Sequence, residues 1–365
     1  MSGIAASFAS ASEASLAERI LAYAEATHAR ACALLLALSL VCFLPGFVSL
    51  HPMDRDEPRF AQASKQMLET GDLIDIRFQD EARYKKPVGI HWLQSATVKA
   101  AEALGVPAAR TTIAIYRIPS LAGALAAVLL TYWAALAFAG RREAFLAAAF
   151  MGASVILSVE ARLAKTDAML LACSVAAMGG LARAYLARRE GGPARSTIIV
   201  FWVAVAAGIL IKGPMVIMFT GSCAALLSLR ERSAAWLKGL RPGLGLLFVL
   251  AVVLPWFLAI TIKAGSEFYA KAVGDDMLGK VVSGQQKHWG PPGFYVVAFF
   301  ATFFPGAIFA AGAVPFAWRY RGEDRIAFAL AWIIPSWLIF EAVPTKLPHY
   351  VMPLYPAVAI IAVLA

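Results

Sequence analysis

The sequence predicts an all-α polytopic membrane helical bundle with a long first loop held outside the lipid. Of its 365 residues, 60% are hydrophobic and only 15% charged, whereas an ordinary soluble domain is roughly half apolar. The apolar residues fall in successive runs close to the ~20 residues a helix needs to cross a bilayer. Arginines gather between alternate runs, as topology signals do. The net charge of +10 comes with no basic stripe and no nucleic-acid-binding module, which excludes nucleic acid as a partner. The 4 cysteines all lie in apolar runs without CxxC spacing and read as packing residues.

Taken in order, residues 1–30 lack the basic, apolar, cleavage-site order of a signal peptide and read as a cytoplasmic N-terminal arm. The membrane domain then covers 31–365. Its spans are expected at 31–50, 118–139, 143–160, 168–187, 196–211, 214–229, 243–263, 292–317 and 326–343. A last run begins near His349 and is still apolar at Ala365, about ten spans in all, so a C-terminal part is expected to be missing. Arg141 and Arg142, then Arg188, Arg189 and Arg195, then Arg230, Arg232, Lys238 and Arg241, then Arg319, Arg321 and Arg325 mark cytoplasmic loops. The extracytoplasmic loop 51–117, also basic, is long enough to escape that rule. It emerges on the opposite face with the turns near 161–167, 212–214, 264–291 and 344–350.

Inside the long loop, Pro58 suits the first turn of a helix that Asp56 or Glu57 caps. Phe60, Ser64, Met67 and Leu68 share one face, and Gly71 ends the segment. Residues 73–79 alternate like an extended strand, Asp80 and Glu81 supply a turn, and 88–104 reads as a second interfacial helix containing Trp92. The loop therefore lies folded along the membrane surface.

Ionisable residues recur at segment ends on that same face. Asp54, Asp56 and Glu57 precede the first loop helix, Lys85 and Lys86 precede Pro87, and Asp167, Lys212 and Lys346 each sit at a membrane border, where charge invites a functional reading. Each has a structural reading beside it: the acids as helix caps, Lys212 as a snorkelling interfacial lysine, Lys85 and Lys86 as a patch for anionic headgroups, Tyr350 as part of an aromatic belt. Lys212 sits in the tight break Ile211, Lys212, Gly213, Pro214, a rigid place to hold an anion. His51, His91, His288 and His349 fall on this face and permit a divalent metal, with His288 and His349 the candidate ligands, though their spacing matches no compact metal motif.

The stretches DRDEPRFAQASKQMLETGDL, YKKPVGIHWLQ, ARLAKTDAML, GILIKGP, HWGPPGFY and PTKLPHYVMPLYP run in order over 51–356. Together they resemble the C-type membrane glycosyltransferases that use polyprenyl-phosphate sugars, in the branch of the aminoarabinose transferases and protein O-mannosyltransferases. The resemblance implies a bacterial inner-membrane enzyme whose active site faces the periplasm. It implies inverting transfer of a sugar from undecaprenyl phosphate to lipid A or another envelope glycolipid. Asp56 matches the catalytic aspartate, with Glu57 beside it and Asp167 as the second acidic position. Lys86 and Lys212 match phosphate-contacting lysines, joined by Lys85, Lys346 and Tyr350. An acidic residue often precedes the loop lysine in the family; Lys85 stands there, which weakens a carried-over metal site. Two rivals remain: a protein O-mannosyltransferase-like enzyme with a Ser or Thr acceptor, and a transporter or flippase for a lipid-linked anion.

Overall fold

The computed structural model describes residues 15–53, 55–272, 274 and 289–365, and these are mostly helical. Among the described residues, five helices are long and apolar enough to cross a membrane: α5 (Ile113–Ala135), α8 (Asp167–Leu186), α9 (Arg195–Lys212), α11 (Pro242–Ala264) and α16 (Asp324–Ala342). Before α5 come α1 (Leu16–Ala26), α2 (His28–Phe43), α3 (Asp56–Thr70) and α4 (Gly89–Ala103). Between the long helices lie α6 (Arg141–Gly152), α7 (Val155–Glu160), α10 (Met215–Glu231) and α12 (Ser266–Tyr269). After the undescribed stretch come α13 (Phe294–Thr302), α14 (Gly306–Gly312) and α15 (Val314–Arg319); after α16, a 3-10 turn over Pro348–Leu354 leads into α17 (Tyr355–Leu364).

The chain is a multi-pass membrane protein with α8 at its centre. The apolar window of α8 is 83% buried, whereas that of α11 is only 28% buried and leaves Leu246, Leu247, Leu250 and Leu258 exposed. In a bilayer that outward apolar face meets lipid, where it costs nothing. The most extensive packing joins α5 to α8. Buried alanines such as Ala124, Ala127, Ala172 and Ala176 line these two helices, the small residues that let helix backbones approach closely in lipid.

Several expected spans are broken. The run 143–160 divides into α6 and α7 around Ala153 and Ser154, and 292–317 divides into α13, α14 and α15. Pro305 stands at the N-cap of α14 and Pro315 in the first turn of α15; proline has no N–H to continue a preceding helix. The last run likewise starts as the Pro-containing 3-10 turn, and the first ends at Phe43 in a series of turns before Pro52. Hydropathy reports the apolar run and is blind to these interruptions.

The first loop is folded, as expected. Helix α3 ends at a left-handed Gly71 (φ 74°), and α4 occupies the second predicted helix. The extended stretch shrinks to a hairpin, β1 (Arg77–Phe78) antiparallel to β2 (Glu81–Ala82), so Glu81 is in a strand and Gln79 takes the turn with φ 57°. The capping expectation is corrected: Arg55 is the N-cap of α3 and makes no side-chain cap, while Asp56 and Glu57 lie in its first turn. There they still favour the helix through its dipole. The loop is tied to the bundle by Trp256, whose Nε1 donates to Ile74 O at 3.2 Å, and by the Lys263–Asp72 ion pair. Gly89 seats α4 on α9, since a Cβ there would lie 2.7 Å from Leu210 O.

Candidate active site

Helix α9 delivers a lysine to the loop face because the chain breaks immediately after it. Gly213 adopts φ 65° and Pro214 precedes α10, so Lys212 is the last residue of α9. A cation is favoured at a helix C-terminus and an anion at an N-terminus. Asp167 opens α8 and forms an ion pair with Lys212, both nearly buried. His349 bridges onward: its Nε2 is 3.5 Å from Asp167 Oδ1 and its Nδ1 is 3.4 Å from Glu160 Oε1. Glu160 is also 3.4 Å from Lys165 Nζ, and its Oε2 has no hydrogen-bond partner among the described residues.

Beside this network lies a cavity of about 360 Å³. Lys85, Lys86, Lys212 and Tyr350 line one side, and apolar groups such as Met218, Phe257 and Phe340 line much of the rest. The Lys212 ammonium lies 5.5 Å from the centre of the Tyr350 ring, a cation–π contact that helps hold it at the wall. An apolar chamber with cations at one side accommodates a molecule with a lipid tail and a charged head.

Asp56 stands on the exposed side of the first turn of α3, its side chain 43% accessible, with Oδ1 3.6 Å from Arg83 Nη2. One turn later Phe60 packs with Ile90 of α4 and with Leu170, Ile211 and Met215, which lie within three residues of Asp167 or Lys212 along the chain. Glu57 points the other way and is fully buried; it accepts from Arg117 Nε at 2.7 Å, Arg117 Nη2 at 3.2 Å and the Ala164 backbone N–H at 3.0 Å. Lys346 does not line the cavity. Its Nζ donates to the carbonyls of Phe340 and Glu341, each at 2.7 Å, closing the C-terminal end of α16, whose last carbonyls lack helical partners. Glu341 in turn accepts from the backbone N–H of Gly293 (2.9 Å) and Tyr295 (3.2 Å). Gly290 N–H also donates to Pro344 O at 3.2 Å, so the stretch 289–295 is stitched to the end of α16 and the turn after it.

Of the sequence-selected residues, Lys85, Lys86, Lys212 and Tyr350 meet at the cavity and Asp167 stands behind Lys212. Asp54 and His288 lie outside the described residues. Among the described residues no group of three or more His, Cys, Asp or Glu could hold a metal ion; His349 sits between two carboxylates instead. Sequence reasoning missed Glu160, Lys165, Arg83 and Arg117. The available signal was the density of charge in SVEARLAKTD, too high for a plain membrane turn.

His91 is buried in α4, outside the five long apolar helices, with Nδ1 2.8 Å from Ser64 Oγ. Burial, reinforced by the charge of Arg83, pushes its pKa down to about 3. An unfolded histidine titrates near 6.5, so His91 contributes full stability above that pH and progressively less as the pH falls towards 3, at up to about 1.4 kcal/mol per pH unit. Melting temperatures of wild type and His91→Gln should therefore diverge on acidification in that window, the variant falling less. Parallel pH profiles would remove His91 as a source of acid sensitivity.

The helical bundle, its folded first loop and the cation-walled cavity define a C-type membrane glycosyltransferase fold. Residues 52–266, more than half of the chain, match the family of dolichyl-phosphate-mannose-protein mannosyltransferases, and the chain belongs to that family. It is 24% identical over 324 residues to the undecaprenyl phosphate-alpha-4-amino-4-deoxy-L-arabinose arabinosyl transferase of Aeromonas hydrophila, covering 86% of this chain and 57% of that protein. The corresponding Pseudomonas paraeruginosa protein is 26% identical over 326 residues, covering 88% and 56%. Among solved structures, ArnT from Cupriavidus metallidurans bound to undecaprenyl phosphate aligns with a TM-score of 0.74 at 23% identity, over 91% of this chain and 59% of that one. The Archaeoglobus fulgidus oligosaccharyltransferase AglB, in complex with an inhibitory peptide and a dolichol-phosphate, aligns at 0.59 and 12% identity, over 92% and 50%. The chain thus spans little more than half the length of the relatives it matches.

Proposed function

We propose that the protein transfers a sugar from an undecaprenyl-phosphate-type donor to lipid A or another envelope glycolipid on the periplasmic side of a bacterial inner membrane. The observation that carries this reading is the cavity whose wall brings Lys85, Lys86 and Lys212 beside apolar surface. The lysines suit a phosphate and the apolar wall an isoprenoid. The acceptor oxygen attacks the anomeric carbon as the bond from that carbon to the phosphate oxygen breaks, and polyprenyl phosphate leaves. One displacement inverts the anomeric centre. Negative charge grows on the departing phosphate, and fixed ammonium groups in a water-poor chamber stabilise it. Asp56, accessible in the first turn of α3, takes the proton of a hydroxyl acceptor; for a phosphate acceptor it offsets oxocarbenium charge instead.

The family match favours one second reading, a Ser or Thr hydroxyl of a protein as acceptor with the same lipid-phosphate donor. A flippase is disfavoured because the charges cluster at helix ends on one face, whereas transporters hold them near the midplane in broken helices. Purified protein incubated with polyprenyl-phosphate sugars and either lipid A or a Ser/Thr-rich peptide should show a sugar-sized mass gain on the lipid. Asp56→Ala should cut that gain at least about 100-fold, the usual scale for a lost general base, and Lys86→Ala should weaken donor use. Gain on the peptide selects the second reading. Lipid translocation with no transfer to either acceptor defeats both.

A further inference from the structure

A second cavity, of about 590 Å³, opens at the far end of α8, between the end of α5, the loop joining α8 to α9, and the first turn of α16. Arg183 on its wall is sixteen residues along α8 from Asp167, about 24 Å at the helical rise. The two cavities therefore serve opposite membrane faces, and this one lies among the arginine-rich loops that the proposed orientation makes cytoplasmic.

Three features of this wall are preset for an oxyanion. Helix α9 begins here at Arg195, and its N-cap residue Ala194 supplies no side-chain cap, leaving first-turn N–H groups and the positive end of the dipole for an anion. Thr197, in that first turn, lines the cavity at 6% exposure, and its hydroxyl has no hydrogen-bond partner among the described residues. Its Oγ1 is not among the sealed polar atoms of the protein, so it opens on the cavity, where it can donate to a ligand oxygen. Two arginines are held in place by main-chain carbonyls: Arg183 lies 3.8 Å from the Trp133 ring and donates to Gly179 O at 3.2 Å, and Arg325 donates to Phe138 O at 2.8 Å. Each guanidinium has five N–H donors, so donors remain for a ligand.

Two acids share the wall. Asp324 is already neutralised by Arg188 at 2.8 Å and Arg230 at 3.1 Å. Glu190 is exposed to water, where its repulsion is screened. Leu186 and Ala137 add apolar wall next to the polar part.

We propose that this cavity is a phosphate-binding site in which Arg183, Arg325, Thr197 and the N-terminus of α9 hold one phosphate group, supplied by a phospholipid headgroup of the adjacent leaflet or by free phosphate. The site is independent of the sugar-transfer reading, and its test does not use transfer activity. Delipidated protein in detergent is titrated with short-chain phosphatidylglycerol and, separately, with inorganic phosphate, and bound ligand is counted by native mass spectrometry. One phosphatidylglycerol should bind per chain. Arg325→Gln, which changes an exposed residue, and Thr197→Val should each weaken it about tenfold, the scale of one hydrogen bond to a charged group. Their melting temperatures and undecaprenyl phosphate binding should stay those of wild type. Phosphatidylglycerol binding that millimolar phosphate does not displace identifies the lipid as source; equal binding of both identifies free phosphate. Failure of both probes to bind, or wild-type affinity in both variants, overturns the proposal.

Discussion

Replacing Lys212 with methionine should lower sugar transfer by roughly 100- to 1000-fold, the range seen when one preorganised donor to a developing oxyanion is removed. The lysine is 9% exposed, sits at a rigid Gly-Pro break and faces the cavity with Lys85 and Lys86. It is therefore placed to meet charge that grows on a departing phosphate. The same substitution strips Asp167 of its ion-pair partner, and a buried carboxylate so orphaned costs about 3–5 kcal/mol, an amount His349 at 3.5 Å partly offsets. The two effects are separable. Pairing Lys212→Met with Asp167→Asn removes the orphaned charge and should restore the melting temperature without restoring transfer; Lys212→Arg keeps a cation and should recover part of the rate. If the double variant regains activity along with stability, Lys212 is an internal counter-ion and the phosphate contact falls to Lys85 and Lys86.

Lys212 and Asp167 were legible in the sequence because a charge at the edge of an apolar run is costly and so conspicuous. Their pairing was not, since 45 residues separate them and nothing local fixes which helix ends meet. The interfacial helices α3 and α4 were legible from Pro58, Gly71 and the apolar face through Phe60 and Met67, all local signals. Bundle membership was legible too, yet the count of spans was not. Hydropathy sums side chains, while the breaks after α6 and α13 depend on where the backbone stops forming its own hydrogen bonds. Lys346 shows the same limit at a single residue. Its position at a membrane border suggested phosphate contact, and only the end of α16 reveals the two carbonyls that occupy its ammonium. Glu57 is the sharpest case: adjacent to Asp56 in sequence, it shares a helical turn and none of its surroundings.

Arg117→Met should destabilise the protein more than any substitution at the cavity, by about 3–5 kcal/mol or beyond, as removal of one partner from a buried ion pair does. Glu57 is 0% and Arg117 1% exposed. The guanidinium does more than neutralise the acid: its Nη1 donates to Phe47 O at 2.8 Å and Leu50 O at 2.9 Å. Glu57 also accepts the Ala164 N–H at 3.0 Å. One ion pair thus joins the end of the first membrane segment, the start of α3, the base of α5 and the turn before α8. Without Arg117, the buried carboxylate keeps only the Ala164 N–H and no counter-charge, and the Phe47 and Leu50 carbonyls lose their donor, each adding a desolvation cost. Glu57→Gln should cost less, because its amide oxygen still accepts, and Glu57→Gln with Arg117→Met should be milder than Arg117→Met alone. Thermal unfolding in detergent distinguishes this from a local role: a melting temperature of Arg117→Met within about 2 °C of wild type, roughly the shift of under 1 kcal/mol, would show the clamp to be dispensable. Asp56 rides on the same turn as Glu57, so transfer should also fall in Arg117→Met at temperatures where the protein remains folded. The acid proposed to do chemistry keeps its aim only while its buried neighbour keeps its partner.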